Sequence, residues 1–290
     1  MKRYIPILLV VSCVGVSGLV GAHARADPAA VAVRPVSMNL PDAPNARDIG
    51  GYVAQGGKVR TGTVFRSEAL NRLTAAEGAT LQQDGITQVY DFRTAAEISQ
   101  APDVLPASIE HTVVSIDNAA LTAQIGKALA GGTATMQQYL GDGKADAAMI
   151  AWYRTFVSDP ASRGQFTTVL KAIADGNRPV LYHCTGGKDR TGIMTVILLT
   201  LLGVNPAQVA GDYLASNDFN KAGNEAAIQQ LSQKVSNADL LWPILLVKPE
   251  YLAATLDQAV QSFGSLENFM TKGLGVDAAT VAKLRQRLIA

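Results

Sequence analysis

The sequence predicts an α/β fold, a central sheet flanked by helices with a helical insertion and a helical C-terminal part, and three observations carry that expectation. Apolar, strand-like runs at Thr63–Arg66, Ile86–Phe92, Thr112–Ile116 and Pro179–His183 alternate with stretches of helical periodicity. Thr74 with Glu77, and Thr94 with Glu97, have the spacing of capping boxes, which satisfy the free amides of a first helical turn. Beyond residue 190 the pattern is helical throughout, with no further strand signal.

The amino-terminal stretch carries a different signal. Lys2 and Arg3 precede an apolar run from Tyr4 to Val20, and Ala24-Arg25-Ala26 supplies small residues before Asp27. This reads as a secretory signal peptide over 1–26, followed by an exposed leader at 27–37. A signal anchor is the competing reading, but the run is short for a spanning helix and contains Ser12, Gly15, Ser17 and Gly18. Val10-Val11-Ser12-Cys13 also resembles a lipobox, with too little apolar sequence before it. Cleavage after Ala26 predicts an exported protein, periplasmic or secreted, without stable membrane insertion.

Residues 38–290 contain no repeat and no long linker, so they are read as one domain. Within it, Leu121, Ile125 and Leu129 fall at helical spacing, Gly131-Gly132 interrupts, and Met136–Leu140 and Ala147–Val157 resume. This insertion at 121–157 is open to two readings, a lid over a pocket or a peripheral helical pair. Thr191–Leu202 is apolar on nearly all sides, the mark of a buried helix. Asn205-Pro206 and Pro249 are helix starts, Gly264 and Gly273 helix stops.

Composition narrows the function. The chain has 290 residues, 48% hydrophobic and 17% charged, with 25 Lys and Arg against 24 Asp and Glu. That balance argues against a nucleic-acid partner, which a basic excess would announce. Loss of the leader residues Lys2, Arg3, Arg25, Cys13 and His23 leaves one cysteine, Cys184, and two histidines, His111 and His183. A lone cysteine cannot form an internal disulfide. The two histidines stand far apart with no carboxylate cluster beside them, so the sequence implies no metal site and no cofactor.

The chemistry concentrates at Pro179-Val-Leu-Tyr-His-Cys184-Thr-Gly-Gly-Lys-Asp-Arg190-Thr-Gly, which reads as strand, tight loop and buried helix. Thr185, Gly186, Gly187 and Lys188 form a loop whose backbone can turn several amides onto one anion. The helix N-terminus adds positive character, and Arg190 offers two parallel hydrogen bonds to phosphate oxygens. Such surroundings favour a thiolate, the nucleophilic form of cysteine, and leave it open to peroxide. A buried small hydrophobe is the plain alternative for a lone cysteine. Three charged residues and two glycines crowded beside it weigh against that. A nucleotide-binding P-loop is excluded, because the upstream glycine is missing and Asp189 holds the Ser or Thr position.

The loop resembles the HCxxxxxR signature of cysteine-dependent tyrosine phosphatases. In its fuller form, HCxxGKDRTG, it resembles the atypical bacterial secreted tyrosine phosphatases, some of which have dual or triple specificity. Asn45-Ala46-Arg47-Asp48-Ile49-Gly50-Gly51, Phe65-Arg66-Ser67, Asp91-Phe92-Arg93 with Glu97, Tyr213-Leu214-Ala215-Ser216-Asn217 and Lys248-Pro249-Glu250-Tyr251-Leu252 resemble further elements of that family, in its order. Ala46 and Phe92 depart from it in minor ways.

The resemblance implies a tyrosine-phosphatase-like sheet and a two-step displacement through a phosphocysteine on Cys184. Arg190 would stabilise the transferring group, Thr191 would assist the leaving thiolate, and His183 would orient the loop. Asp189 is the favoured general acid, with Asp142, Asp146 and Asp159 as alternatives; Asp159-Pro160 also fits a helix N-cap. Trp242-Pro243 follows the loop and reads as packing. Lys188 links the sequence to phosphoinositide substrates. Asp48 and Asp91, with Arg47 and Arg93, are read as a supporting ion-pair frame in preference to a catalytic role. The expected substrates are phosphotyrosine, then phosphoserine, phosphothreonine and phosphoinositides. A dedicated phosphoinositide phosphatase, and a silent phosphate-binding module, are the alternatives.

Overall fold

The computed structural model describes residues 35–290. The signal peptide and residues 27–34 of the leader lie outside the described residues. Among the described residues no helix is long and apolar enough to cross a membrane.

A six-stranded sheet is built from β1 (Val36–Ser37), β2 (Arg47–Asp48), β5 (Val64–Ser67), β6 (Gln88–Asp91), β7 (Glu110–Val113) and β8 (Val180–His183), while β3 (Val53–Ala54) and β4 (Gly57–Lys58) form a separate hairpin. The order is β1-β2-β5-β8-β6-β7. The first two strands pair antiparallel and the remaining four run parallel. The four strands expected from sequence are all present but shorter or displaced. Ladder bonding continues past their ends as single bonds, Phe92 N–H to the His183 carbonyl at 2.9 Å and Val114 N–H to the Asp91 carbonyl at 2.8 Å.

Strands β5 and β8 are buried along their whole length, as expected of central parallel strands covered on both faces. Alternation sends Leu181 to one side with Phe65 and Val89, and Val180 and Tyr182 to the other with Val64. The first side is covered by α1 (Ala75–Gln83), capped by Thr74 and Glu77 as read from sequence. Helix α2 (Ala95–Gln100) begins at the second capping box, Thr94 with Glu97.

The insertion divides into parts that differ in kind. Helices α3 (Ala119–Ala130) and α4 (Thr133–Leu140) share a small cluster of Ala128, Met136 and Leu140 with Ile228 and Val235. Helix α5 (Lys144–Ser158) is core, burying Met149, Trp152, Tyr153, Phe156 and Val157. Truncating a side chain such as Phe156, 0% exposed, to alanine costs about 3–5 kcal/mol. Thus α5 belongs to neither expected category. Asp159 caps α6 (Pro160–Asp175) by accepting from the Ala161 and Ser162 amides.

After β8 come α7 (Arg190–Leu201), buried from Arg190 to Leu199, α8 (Pro206–Phe219), α9 (Lys221–Ser232), the short α10 (Trp242–Leu245), α11 (Pro249–Phe263), α12 (Leu266–Asn268) and α13 (Ala278–Leu288). Helix α11 packs along α5, with Thr255 Oγ1 donating to the Tyr153 carbonyl at 3.0 Å. Trp242-Pro243 opens α10 and packs at the margin of the α3–α4 cluster.

Candidate active site

The parallel register aligns Ser67, His183 and Asp91 at one level, so the loops that follow β5, β8 and β6 leave the sheet together. In open parallel sheets ligand sites form at these carboxyl ends. A cavity of about 350 Å³ opens there, lined by Glu68, Glu97, Thr185, Gly186, Lys188, Asp189 and Arg190, with Leu121, Thr122 and Ile125 of α3 and Trp152 of α5 over it. Cys184 is 1% exposed, beside this lining and not in it. The openly exposed thiol expected from sequence is therefore corrected to a buried one.

The loop between β8 and α7 is held from outside by its carbonyls. Gly186 O accepts from Asn45 Nδ2 at 2.9 Å and Asn220 Nδ2 at 3.0 Å, and Gly187 O accepts from Arg66 Nη2 at 2.7 Å. Thr185 O accepts from the Ala69 amide at 3.0 Å, and Cys184 O lies 3.2 Å from His183 Nδ1. The amides of Thr185 to Asp189 donate to nothing among the described residues. Carbonyls tied outward and amides left over are the arrangement an anion needs. Gly187 makes it possible: its φ is +63°, and a Cβ there would stand 2.4 Å from Ser67 O.

Arg190 is forked onto Glu97, Nη1 to Oε2 at 2.8 Å and Nη2 to Oε1 at 2.6 Å, with Nη1 also donating to Phe92 O at 3.1 Å. Burial works against its charge, but the Glu97 hydrogen bonds and the neighbouring Cys184, Glu97 and Asp189 raise its pKa above the ordinary value. Burial likewise opposes ionised Glu97, yet the Arg190 pair and the Thr185 and Thr94 donors bring it down to about 2. Arg190 Nε and Thr191 Oγ1 are buried without hydrogen-bond partners, two further donors in reserve beside the unused amides.

Beneath the loop lies a network that sequence reasoning missed. Asp212, from α8, takes Arg47 Nε at 3.1 Å, Arg66 Nη1 at 2.5 Å and Tyr52 OH at 3.1 Å, all fully buried. Two guanidiniums against one carboxylate leave a positive charge beneath the loop, to which Arg66 is bonded through Gly187 O. Burial pushes Arg47 down to about 10, with Arg66 adding to the push and Asp212 resisting it.

The expected ion-pair frame is half present. Asp91 pairs with Arg93 at 2.8 Å, but Asp48 does not pair with Arg47; it accepts from the Gly50 amide at 2.7 Å and the Gly62 amide at 2.5 Å. Adjacent residues in a strand face opposite sides, so Arg47 and Asp48 diverge, whereas Asp91 and Arg93 share a side. His111 and His183, remote in sequence, are brought together with Asp91 and Asp103 by the fold.

Among the carboxyls considered as acids, only Asp189 lines the cavity. Asp189 accepts from Tyr153 OH at 2.6 Å and from Lys188 Nζ at 2.9 Å on both oxygens, so Lys188 is committed to a neighbour. Asp142 is exposed, Asp146 is held by Lys248 and Tyr251 at 2.5 Å each, and Asp159 is a helix cap. Glu68, unremarked in the sequence, also lines the cavity; burial, resisted by Arg72, pushes it up to about 7.

A thiol at the base of a ring of unused donors, with an arginine beside it, defines a cysteine-dependent phosphatase. A sequence profile described as the tyrosine phosphatase family matches residues 38–290, and the chain belongs to that family. Its activity is that of a protein-tyrosine phosphatase, and neither a silent phosphate-binding module nor a dedicated phosphoinositide phosphatase is favoured. It is 31% identical over 276 residues to the triple specificity protein phosphatase PtpB of Mycobacterium tuberculosis, covering 86% of this chain and 98% of that protein. It is 30% identical over 235 residues to a tyrosine-protein phosphatase of Nostoc commune, covering 76% and 74%. A Cupriavidus necator protein, provisionally named a tyrosine-protein phosphatase, is 29% identical over 247 residues, covering 85% and 86%.

Proposed function

We propose that the enzyme hydrolyses phosphotyrosine through attack of the Cys184 sulfur on phosphorus, the P–O bond to the tyrosyl oxygen breaking as the S–P bond forms, followed by hydrolysis of the phosphocysteine by water. The observation that carries this reading is the set of unused donors on the loop that follows Cys184, the Thr185 to Asp189 amides with the buried Arg190 Nε, none of which has a partner among the described residues. Such fixed donors supply most of the acceleration in phosphoryl transfer. Thr191 Oγ1, buried and unpartnered, is assigned to the departing thiolate. His183 and Asp91 position the loop, and Asp48 holds the turn between Gly50 and Gly62.

The leaving oxygen needs a proton. Asp189 is the acid assigned by position on the cavity wall. Asp189 already accepts from Tyr153 and Lys188, and Glu68, at about 7, supports a second reading. Comparing phenyl phosphate with p-nitrophenyl phosphate decides: replacing the true acid, Asp189→Asn or Glu68→Gln, slows only the poor leaving group. Cys184→Ser should abolish both; full activity in that variant overturns the mechanism.

Activity on phosphoserine, phosphothreonine and phosphoinositides is included in the proposal, supported by Lys188 on the cavity wall and by the name of the mycobacterial relative. Lys188→Ala should then lower phosphoinositide turnover more than phosphotyrosine turnover. We also propose export to the periplasm or medium, as one domain over 38–290 after cleavage at Ala26; amino-terminal sequencing of the mature protein tests it.

A further inference from the structure

We propose that Asp91, Asp103, His111 and His183 form a binding site for one divalent transition-metal ion, zinc by ligand chemistry, on the side of Cys184 away from the cavity. One ligand atom from each lies within 4.8 Å of the others. His111 Nε2 stands 3.1 Å from Asp91 Oδ2 and 3.4 Å from Asp103 Oδ2; His183 Nε2 stands 3.0 Å from Asp103 Oδ2 and 3.8 Å from Asp91 Oδ1. A tetrahedron of bonds near 2.0–2.1 Å has edges of about 3.3 Å, close to three of these four separations, and the cluster as a whole would tighten around an ion.

Sheet geometry explains the convergence. Asp91 is level with His183, and His111 is level with Val89, two residues before Asp91 and so on the same face. The atoms themselves call for a cation. Cys184 O can only accept, so His183 Nδ1 carries the proton of that 3.2 Å contact, and Nε2 is the ring nitrogen left to a cation. Nε2 faces two carboxylates, whose oxygens are metal ligands as well.

His183 Nε2 and Asp103 Oδ2 are both buried and, 3.0 Å apart, face each other at an angle poor for a hydrogen bond, with no other hydrogen-bond partner among the described residues. Arg93, bonded to Asp91 at 2.8 Å and Asp103 at 2.9 Å, orients the two carboxylates from outside, as outer partners of metal ligands do. His111 has a side chain 29% exposed and provides the way in. Metal on Nε2 would fix the His183 tautomer and, through Nδ1–H, the Cys184 carbonyl.

The test uses the full chain carrying Cys184→Ser, so that no thiolate can capture metal, stripped by chelator and titrated with Zn²⁺ and Co²⁺. One equivalent should bind, Co²⁺ should show the visible bands of a tetrahedral nitrogen and oxygen site, and Zn²⁺ should raise the thermal midpoint. Adding His111→Ala should weaken binding by at least about tenfold with an unchanged melt in chelator. Asp103→Asn should weaken binding likewise, with a lower melt in chelator because its buried pair with Arg93 is lost, and His111→Gln serves if either fails to fold. No binding to the Cys184→Ser protein, or equal affinity in the His111 variants, overturns the proposal and leaves a proton on His183 Nε2 as what joins these groups.

Discussion

Replacing Asp212 with Asn tests whether the charge network under the loop is as dry as it looks. The carboxylate takes four hydrogen bonds, two from Arg47, one from Arg66 and one from Tyr52, and all these side chains are buried. Asparagine keeps the shape but leaves two guanidiniums without a counter-charge. Breaking a buried pair in this way costs about 3–5 kcal/mol. For a chain of this size that corresponds to a fall in thermal midpoint of roughly 6–20 °C. Burial opposes ionised Asp212, but Arg47 and Arg66 hold its pKa below the ordinary 3.8. A depressed folded pKa gives stability that is present above the unfolded value and lost as pH falls through the folded one. The gap between wild type and Asp212→Asn should therefore be constant from pH 7 to about pH 5 and close only below pH 3.8. Urea unfolding at several pH values measures it. A loss under about 1 kcal/mol, the worth of an exposed pair, would refute the reasoning.

Glu97→Gln should cut kcat/KM by about 10²-fold, since Arg190 loses its bidentate partner and small misplacements at a reacting centre are costly; steady-state kinetics on p-nitrophenyl phosphate check it. With Glu97 at about 2, the pair's contribution should persist well below pH 4 and fade as pH approaches 2, seen in acid titration of wild type against the variant. Gly187→Ala should abolish turnover and lower the thermal midpoint, because the added carbon meets Ser67 O at 2.4 Å in a left-handed backbone. Asp159→Ala should cost about 1 kcal/mol of stability as a lost cap while leaving phenyl phosphate hydrolysis intact.

The phosphate loop, both capping boxes and the Pro-started helices were legible because each is a local pattern whose physics is complete within a few residues. Asp212 was not, since an aspartate in the middle of α8 looks like any solvated helix residue until β2 and β5 bring Arg47 and Arg66 to it. Of the expected ion-pair frame, Arg47 was legible as a member but its partner Asp212 was not, and Asp48 turned out to cap backbone amides. His111 and His183 show the same: remote along the chain, they were joined by strand register. Helix α5 was legible as a helix, but its central burial depended on α11 packing along it.

Glu97 has a consequence for anyone wishing to tune this enzyme. Its two oxygens serve Thr94 at the start of α2, Thr185 in the loop and the fork of Arg190 at once. Where α2 begins and where the guanidinium points are thus a single mechanical variable. Selection for a sturdier fold and selection for a faster reaction would press on the same carboxylate, so neither can be adjusted there without moving the other.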